Sequence, residues 1–179
     1  MTNLIYASLV PYNISALFFS KLGAIAAKLD VNPNWLMQVM YAESRLKANA
    51  LNPTSKAAGL IQFMPSTLRN MGYTTNQVLQ MDSARQLDLV YQYFKPKAGA
   101  LKSYYDVYAW VFFPAAIGKP DNWVLETKSL PASLIARQNP AVNINKDGKI
   151  TVAEFKEYVR RTVAKQNHVF VFDEKKKLA

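Results

Sequence analysis

Apolar residues recur along this chain at helical intervals, and no stretch alternates long enough to suggest a strand. Phe18, Leu22, Ile25 and Leu29 stand at i, i+4, i+7 and i+11, which predicts a helix ending before Asp30. Asn32 then reads as an N-cap and Pro33 as the first residue of a second helix, reaching about Lys47. Pro65 opens a short helix that Gly72 closes. Leu87, Val90, Tyr91 and Phe94 stripe a helix from Ser83, stopped by Pro96 and Gly99. Another runs from about Ser103 through YYDVYAWVFF to Pro114. Pro120, Pro131 and Pro140 then break the pattern, until Val152, Phe155, Val159 and Val163 line a last helix over Thr151–Lys165. The expected class is all-α.

One residue does not fit the pattern. At about 100° per residue, Glu43 falls within about 20° of Leu36 and between Met40 and Val39, at the centre of the second helix's apolar arc. Low dielectric disfavours a charged carboxylate, so a Glu held there is expected to keep its proton, as a general acid must. The alternative is a carboxylate near the helix end that turns to solvent or pairs with Lys47.

Charge narrows the partners. The chain has 22 Lys plus Arg against 12 Asp plus Glu, a net charge of +10, and so attracts polyanions such as nucleic acid, an anionic membrane surface or an acidic wall polymer. The basic residues form no readable nucleic-acid motif. Cysteine is absent, which removes disulfide and thiolate chemistry, and the single His168 cannot build a metal cluster. The run LIYASLVPYNISALFFSKLGAIAAKL has no basic leading segment and is interrupted by Pro11, Asn13 and Lys21, so neither a secretory leader nor a membrane span is expected. DEKKKLA closes the chain as a charged tail.

The segment after Glu43 adds specific chemistry. AESRLKANALNPTSKAAGLIQFMPST places Glu43, followed by Ser44, 16 residues ahead of Gly59, which opens the run Gly59, Leu60, Ile61 and Gln62, followed by Met64, Pro65 and Thr67. This arrangement resembles the goose-type lysozyme and lytic transglycosylase family, in which an ES dipeptide carries the catalytic Glu and a GLMQ-type segment continued as MP lines the cleft. The resemblance extends over roughly the first two-thirds of the chain. It implies a lysozyme-like helical domain, here taken as residues 1–130, that cuts the β-1,4 bond between N-acetylmuramic acid and N-acetylglucosamine in peptidoglycan. Carried over by position, Glu43 is the acid and then the base, and Ser44, Gln62 and Met64 are substrate-side residues. In the transglycosylases of that family the muramyl C6 hydroxyl attacks C1, leaving a 1,6-anhydro end, and no cofactor is needed. The site of action would be the bacterial wall, and without a leader the chain would reach it from a virion or by a non-classical route, among virion or wall proteins as partners.

The family usually continues with an AYNAG-type segment, whereas this chain reads YAWVFFPAAIG, without the Asn. Tyr108 is the best stand-in, with Tyr104 or Tyr105 as substitutes. A hydrolytic muramidase would need a second carboxylate about 5 to 9.5 Å from the first, and Asp82, Asp88, Asp106 and Glu126 are the candidates. Trp35 and Tyr73 are candidates for stacking on sugar. A non-catalytic wall-binding or virion module on the same fold is the rival reading, motivated by the missing Asn.

A second motif lies in the extension, residues 131–179. NINKDGKITVAE, Asn143 to Glu154, follows the calcium-loop pattern D-x-[DN]-x-[DN]-G-x5-E with Asn143 in place of the first Asp. Asn143, Asn145 and Asp147 would offer side-chain oxygens, Lys149 its carbonyl, Thr151 an oxygen or bridging water and Glu154 a carboxylate, with Gly148 at the turn. Its resemblance to an EF-hand loop implies a structural Ca2+ site or, on its own, a calcium-binding interaction protein. Without metal, Thr151 and Glu154 read as a capping box starting the last helix.

Overall fold

The computed structural model describes residues 3–8 and 16–172. Pro11 and Asn13 of the N-terminal apolar run and the charged tail lie outside the described residues. The chain is all-α: α1 (Ala16–Leu29), α2 (Pro33–Ser44), α3 (Pro65–Asn70), α4 (Thr75–Leu79), α5 (Ser83–Phe94), α6 (Tyr104–Phe112), α7 (Ala132–Gln138), α8 (Val152–Thr162) and α9 (His168–Val171). Only isolated β-bridges occur among the described residues, and no helix there is long and apolar enough to cross a membrane.

Two compact units form, one from the described residues up to Lys102 together with 169–172, the other from Ser103–His168. In the first, α1 packs on α2 and α5 through Phe18, Leu22, Leu36, Met40, Leu87 and Phe94, each sealed from solvent. Such burial is the main favourable contribution to folding, about 1.5–3 kcal/mol for each large apolar side chain. In the second, α6 and α8 contribute Tyr104, Val107, Phe155 and Val159 to a core closed by Leu125 and Ile150.

The start of α2 is as expected: Asn32 Oδ1 accepts from Asn34 N at 2.9 Å and Pro33 supplies the first helical φ. Its end comes earlier than Lys47. Arg45 and Leu46 take left-handed φ of 55° and 61°, and their N–H groups bond back to Tyr41 and Met40 carbonyls at 3.0 and 3.3 Å. Leu46, thrown back by this turn, is fully buried. Two successive left-handed non-glycine residues cost roughly 1–2 kcal/mol each, a strain located directly after Glu43 and Ser44.

α2 is also enclosed on its other side. Segment 3–8 lies along Asn34, Gln38 and Tyr41: Ile5 N donates to Asn34 Oδ1 at 2.8 Å, the Tyr6 hydroxyl to Gln38 Oε1 at 2.6 Å, and the Tyr6 and Tyr41 rings stack at 3.9 Å. These bonds explain two buried amides that a simple amphipathic pattern would leave exposed. Three helices escaped the periodicity: α4, whose capping box joins Thr74 and Gln77, α7, which lies in the proline-rich stretch, and the short α9. α8 stops at Thr162, short of Lys165, with Val163 in extended conformation.

Candidate active site

Glu43 lies in the last turn of α2, partly buried like Tyr41 and Ala42 before it, whereas Asn34–Met40 are covered. Ser44, 7% exposed, has its hydroxyl 3.0 Å from the Met40 carbonyl and 2.9 Å from the Leu60 carbonyl. It thereby ties the end of α2 to the GLIQ loop. Replacing Ser44 by Ala is expected to cost about 1 kcal/mol, the usual net worth of such a bond, measurable as a lowered urea midpoint. No change would show that the loop is held without it.

The loop is a pair of tight turns. Asn52 N and Ala57 O bond at 2.8 Å, Ala58 and Phe63 exchange backbone bonds at 3.0 and 2.8 Å, and Gln62 N closes on Gly59 O at 3.1 Å. Gly59 has φ +79°, and a Cβ there would sit 2.5 Å from Gln86 Oε1, so this glycine is required by both conformation and space. Gln62 is left-handed too, at φ 52°, and its Nε2 donates to the carbonyls of Gly59 and Ala50 at 3.1 and 3.3 Å. Met64, the residue before α3, leaves its thioether side chain 47% exposed.

Two residues absent from the motif complete the arrangement. Gln86 of α5 is fully buried; its Oε1 accepts from Leu60 N at 2.9 Å, and its Nε2 donates to Ala48 O at 2.6 Å and Val78 O at 2.8 Å. One side chain therefore fixes the loop, the turn that follows α2, and α4. Tyr93, also on α5, meets Phe63 edge to face at 5.9 Å. Burial raises its pKa, and the Glu43 carboxylate raises it further, which puts the phenol within the field of the acid. Helical periodicity marks Tyr91 and Phe94 as core positions but gives no sign of Tyr93, because its relation to Glu43 exists only across two helices.

The raised pKa makes a pH prediction. The folded state favours neutral Tyr93, so its contribution is complete below the ordinary tyrosine value of 10.0 and falls as pH rises toward the higher folded value. Wild type should therefore lose stability faster than Tyr93→Phe above about pH 10, read from paired urea titrations. Parallel curves would refute the link.

The remaining acids of this unit have other duties. Asp82 caps α5, accepting from Arg85 N at 2.7 Å, Asp88 pairs with Lys21 at 2.7 Å, and Asp30 pairs with Lys102 at 3.1 Å. Trp35 is a core residue whose indole N–H donates to Val171 O at 2.8 Å. Tyr73 borders a groove of about 430 Å³ with Asn76, Gln77, Gln80, Met81 and Arg85.

The other predicted residues belong to the second unit. Tyr108 is 7% exposed, its ring 5.9 Å from that of Tyr104 and 6.0 Å from that of Phe155. Tyr105 lies near Lys156. Asp106 forms a capping box with Ser103, Glu126 is exposed, and His168 Nε2 lies 3.0 Å from Val163 O. The loop Asn143–Glu154 brings Asn145, Asp147, Lys149, Thr151 and Glu154 together through backbone and capping bonds.

No curated protein and no solved structure matches the chain. Residues 21–108, a segment running from α1 into α6, match the family described as Transglycosylase SLT domain, whose members cleave peptidoglycan and whose lysozyme-like architecture is all-α, as here.

Proposed function

We propose that this protein cleaves the β-1,4 bond between N-acetylmuramic acid and N-acetylglucosamine as a lytic transglycosylase, with Glu43 as the only acid–base group. The observation that carries the reading is Glu43 at the end of a buried helix, tied through Ser44 to the GLIQ loop. The match over residues 21–108 supports the substrate class.

Glu43 gives its proton to the glycosidic oxygen as the C1–O bond breaks. The carboxylate then takes the proton of the muramyl C6 hydroxyl as that oxygen bonds to C1, giving a 1,6-anhydro end and restoring the acid. No water enters the products. In favour of one carboxylate, Asp82, Asp88 and Asp30 are engaged in a cap and two ion pairs. Gln62 and the exposed Met64 serve the sugar side of the site, and Tyr93 faces the acid's field. Tyr108 keeps the place of the family's missing segment by sequence position. The net charge of +10 draws the protein to the wall's carboxylates and anionic polymers.

Purified sacculi incubated with the protein, followed by mass spectrometry of released muropeptides, test the mechanism. Anhydro ends are expected. Reducing ends would assign a hydrolytic muramidase instead, and no release at all would leave a wall-binding module.

A further inference from the structure

The loop Asn143–Glu154 lies wholly within the second unit and plays no part in the chemistry above. Gly148, at the sixth position where the calcium-loop pattern needs a sharp turn, has a left-handed φ of 83°, and Lys146 two residues before it is left-handed as well, at 61°. Ile150, the eighth position, is fully buried and its carbonyl accepts from Leu125 N at 2.8 Å, while Thr151 bridges to Val124. The loop is thus held from behind by the 123–125 segment, Val152 N also donating to Trp123 O at 2.9 Å.

A capping box accounts for part of this. Glu154 Oε2 accepts from Thr151 N at 3.0 Å and Oγ1 at 2.9 Å, and Glu154 N donates back to Thr151 Oγ1 at 3.2 Å. Glu154 Oε1 accepts from Asn145 N at 3.2 Å. Asn145 Oδ1 accepts from Asp147 N at 3.0 Å, and Asp147 Oδ1 from Lys149 N at 2.9 Å. Capping leaves one atom without an explanation. Asn143 Oδ1, at the first ligand position, is sealed from solvent and has no hydrogen-bond partner. A buried acceptor left unmade costs about 1–3 kcal/mol, and a cation is the partner that this position has in a calcium loop.

We propose that Asn143–Glu154 binds one Ca2+, through side-chain oxygens of Asn143, Asn145, Asp147 and Glu154 and the carbonyl of Lys149. All donors are oxygens, as a hard cation of this size prefers, and their number exceeds what Mg2+ accepts from protein groups. Among the described residues no three His, Cys, Asp or Glu side chains gather into a metal site, so amide and backbone oxygens must do most of the binding. With two carboxylates, and Lys146 and Lys149 in the loop itself, affinity belongs in the weak range of extracellular modules, Kd about 10⁻⁴–10⁻³ M. The ion would stiffen the start of α8, a structural role.

The test is calorimetric titration of the full chain with CaCl2, with MgCl2 as a parallel arm, and thermal melts at each concentration. A saturable calcium heat and a rising Tm are expected, with neither from magnesium. Asp147→Asn keeps an oxygen for the Lys149 N–H but removes a charge, and should weaken binding by about tenfold or more. Asn143→Asp supplies the acid that the pattern has at the first position, and should tighten binding by about tenfold. That gain cannot arise from misfolding, so it decides the matter even where Asp147→Asn is poorly folded. No heat up to about 10 mM calcium, ten times the weakest affinity of such loops, overturns the proposal. So does a calcium response that both variants leave unchanged, or an equal response to magnesium.

Discussion

Glu43→Gln should remain folded, bind sacculi and release no muropeptides, a loss of about 10²–10⁴-fold or more in cleavage rate. The substitution keeps the size and one hydrogen-bonding oxygen of the side chain but removes the proton that must reach the glycosidic oxygen. Glu43 is partly buried at the last turn of α2, so this near-isosteric change leaves the core beneath it unaltered. Two measurements read the result together: muropeptide release by mass spectrometry and thermal unfolding of the same preparation. An unchanged melt with abolished release assigns the acid. Release at a rate close to wild type would transfer the role to another group and sink the single-carboxylate mechanism.

Gln86→Leu should be the most damaging substitution to stability among those that touch no substrate. Gln86 has no solvent exposure, and its amide satisfies Leu60 N, Ala48 O and Val78 O at once. Leucine fills a similar volume but strands three backbone groups, each costing about 1–3 kcal/mol when left buried and unpaired. Partial relaxation brings the expected total to about 3 kcal/mol, a large share of the 5–15 kcal/mol that usually holds a domain together. The urea midpoint should fall accordingly. Cleavage should fall as well at temperatures where the variant is folded, because Leu60 is the residue to which Ser44 is tied. A loss below about 1 kcal/mol would mean that the loop closes over the gap, and that Gly59 rather than Gln86 sets its path.

Gln86 and Ser44 show where reading a sequence stops. Ser44 was visible as the second half of an ES dipeptide, but its hydroxyl bonds the Leu60 and Met40 carbonyls, a positioning task that residue type alone does not reveal. Gln86 stood at the flank of a stripe-bearing helix as an ordinary polar residue, with no sign in its type of the three segments it joins. The end of α2 was placed three residues late for a related reason. Periodicity continues through Leu46, which is buried as expected, yet it reaches the core through a left-handed turn and not along the helix.

What the sequence determined by itself is the helical class and most of the helix starts, and it singles out Glu43 as the proposed acid. Caps, prolines and apolar spacing act over three or four residues, within reach of any local reading. Glu43 stands out in the sequence because a carboxylate on an apolar arc, followed by GLIQ and MP at fixed spacing, is a local conflict with a local context. The tertiary structure alone decided what surrounds that acid. Tyr93 reaches Glu43's field from α5, Gln86 clamps three segments together, and segment 3–8 covers the back of α2. Each of these contacts joins residues far apart in the chain, and such pairings depend on how helices pack, which no short-range pattern encodes.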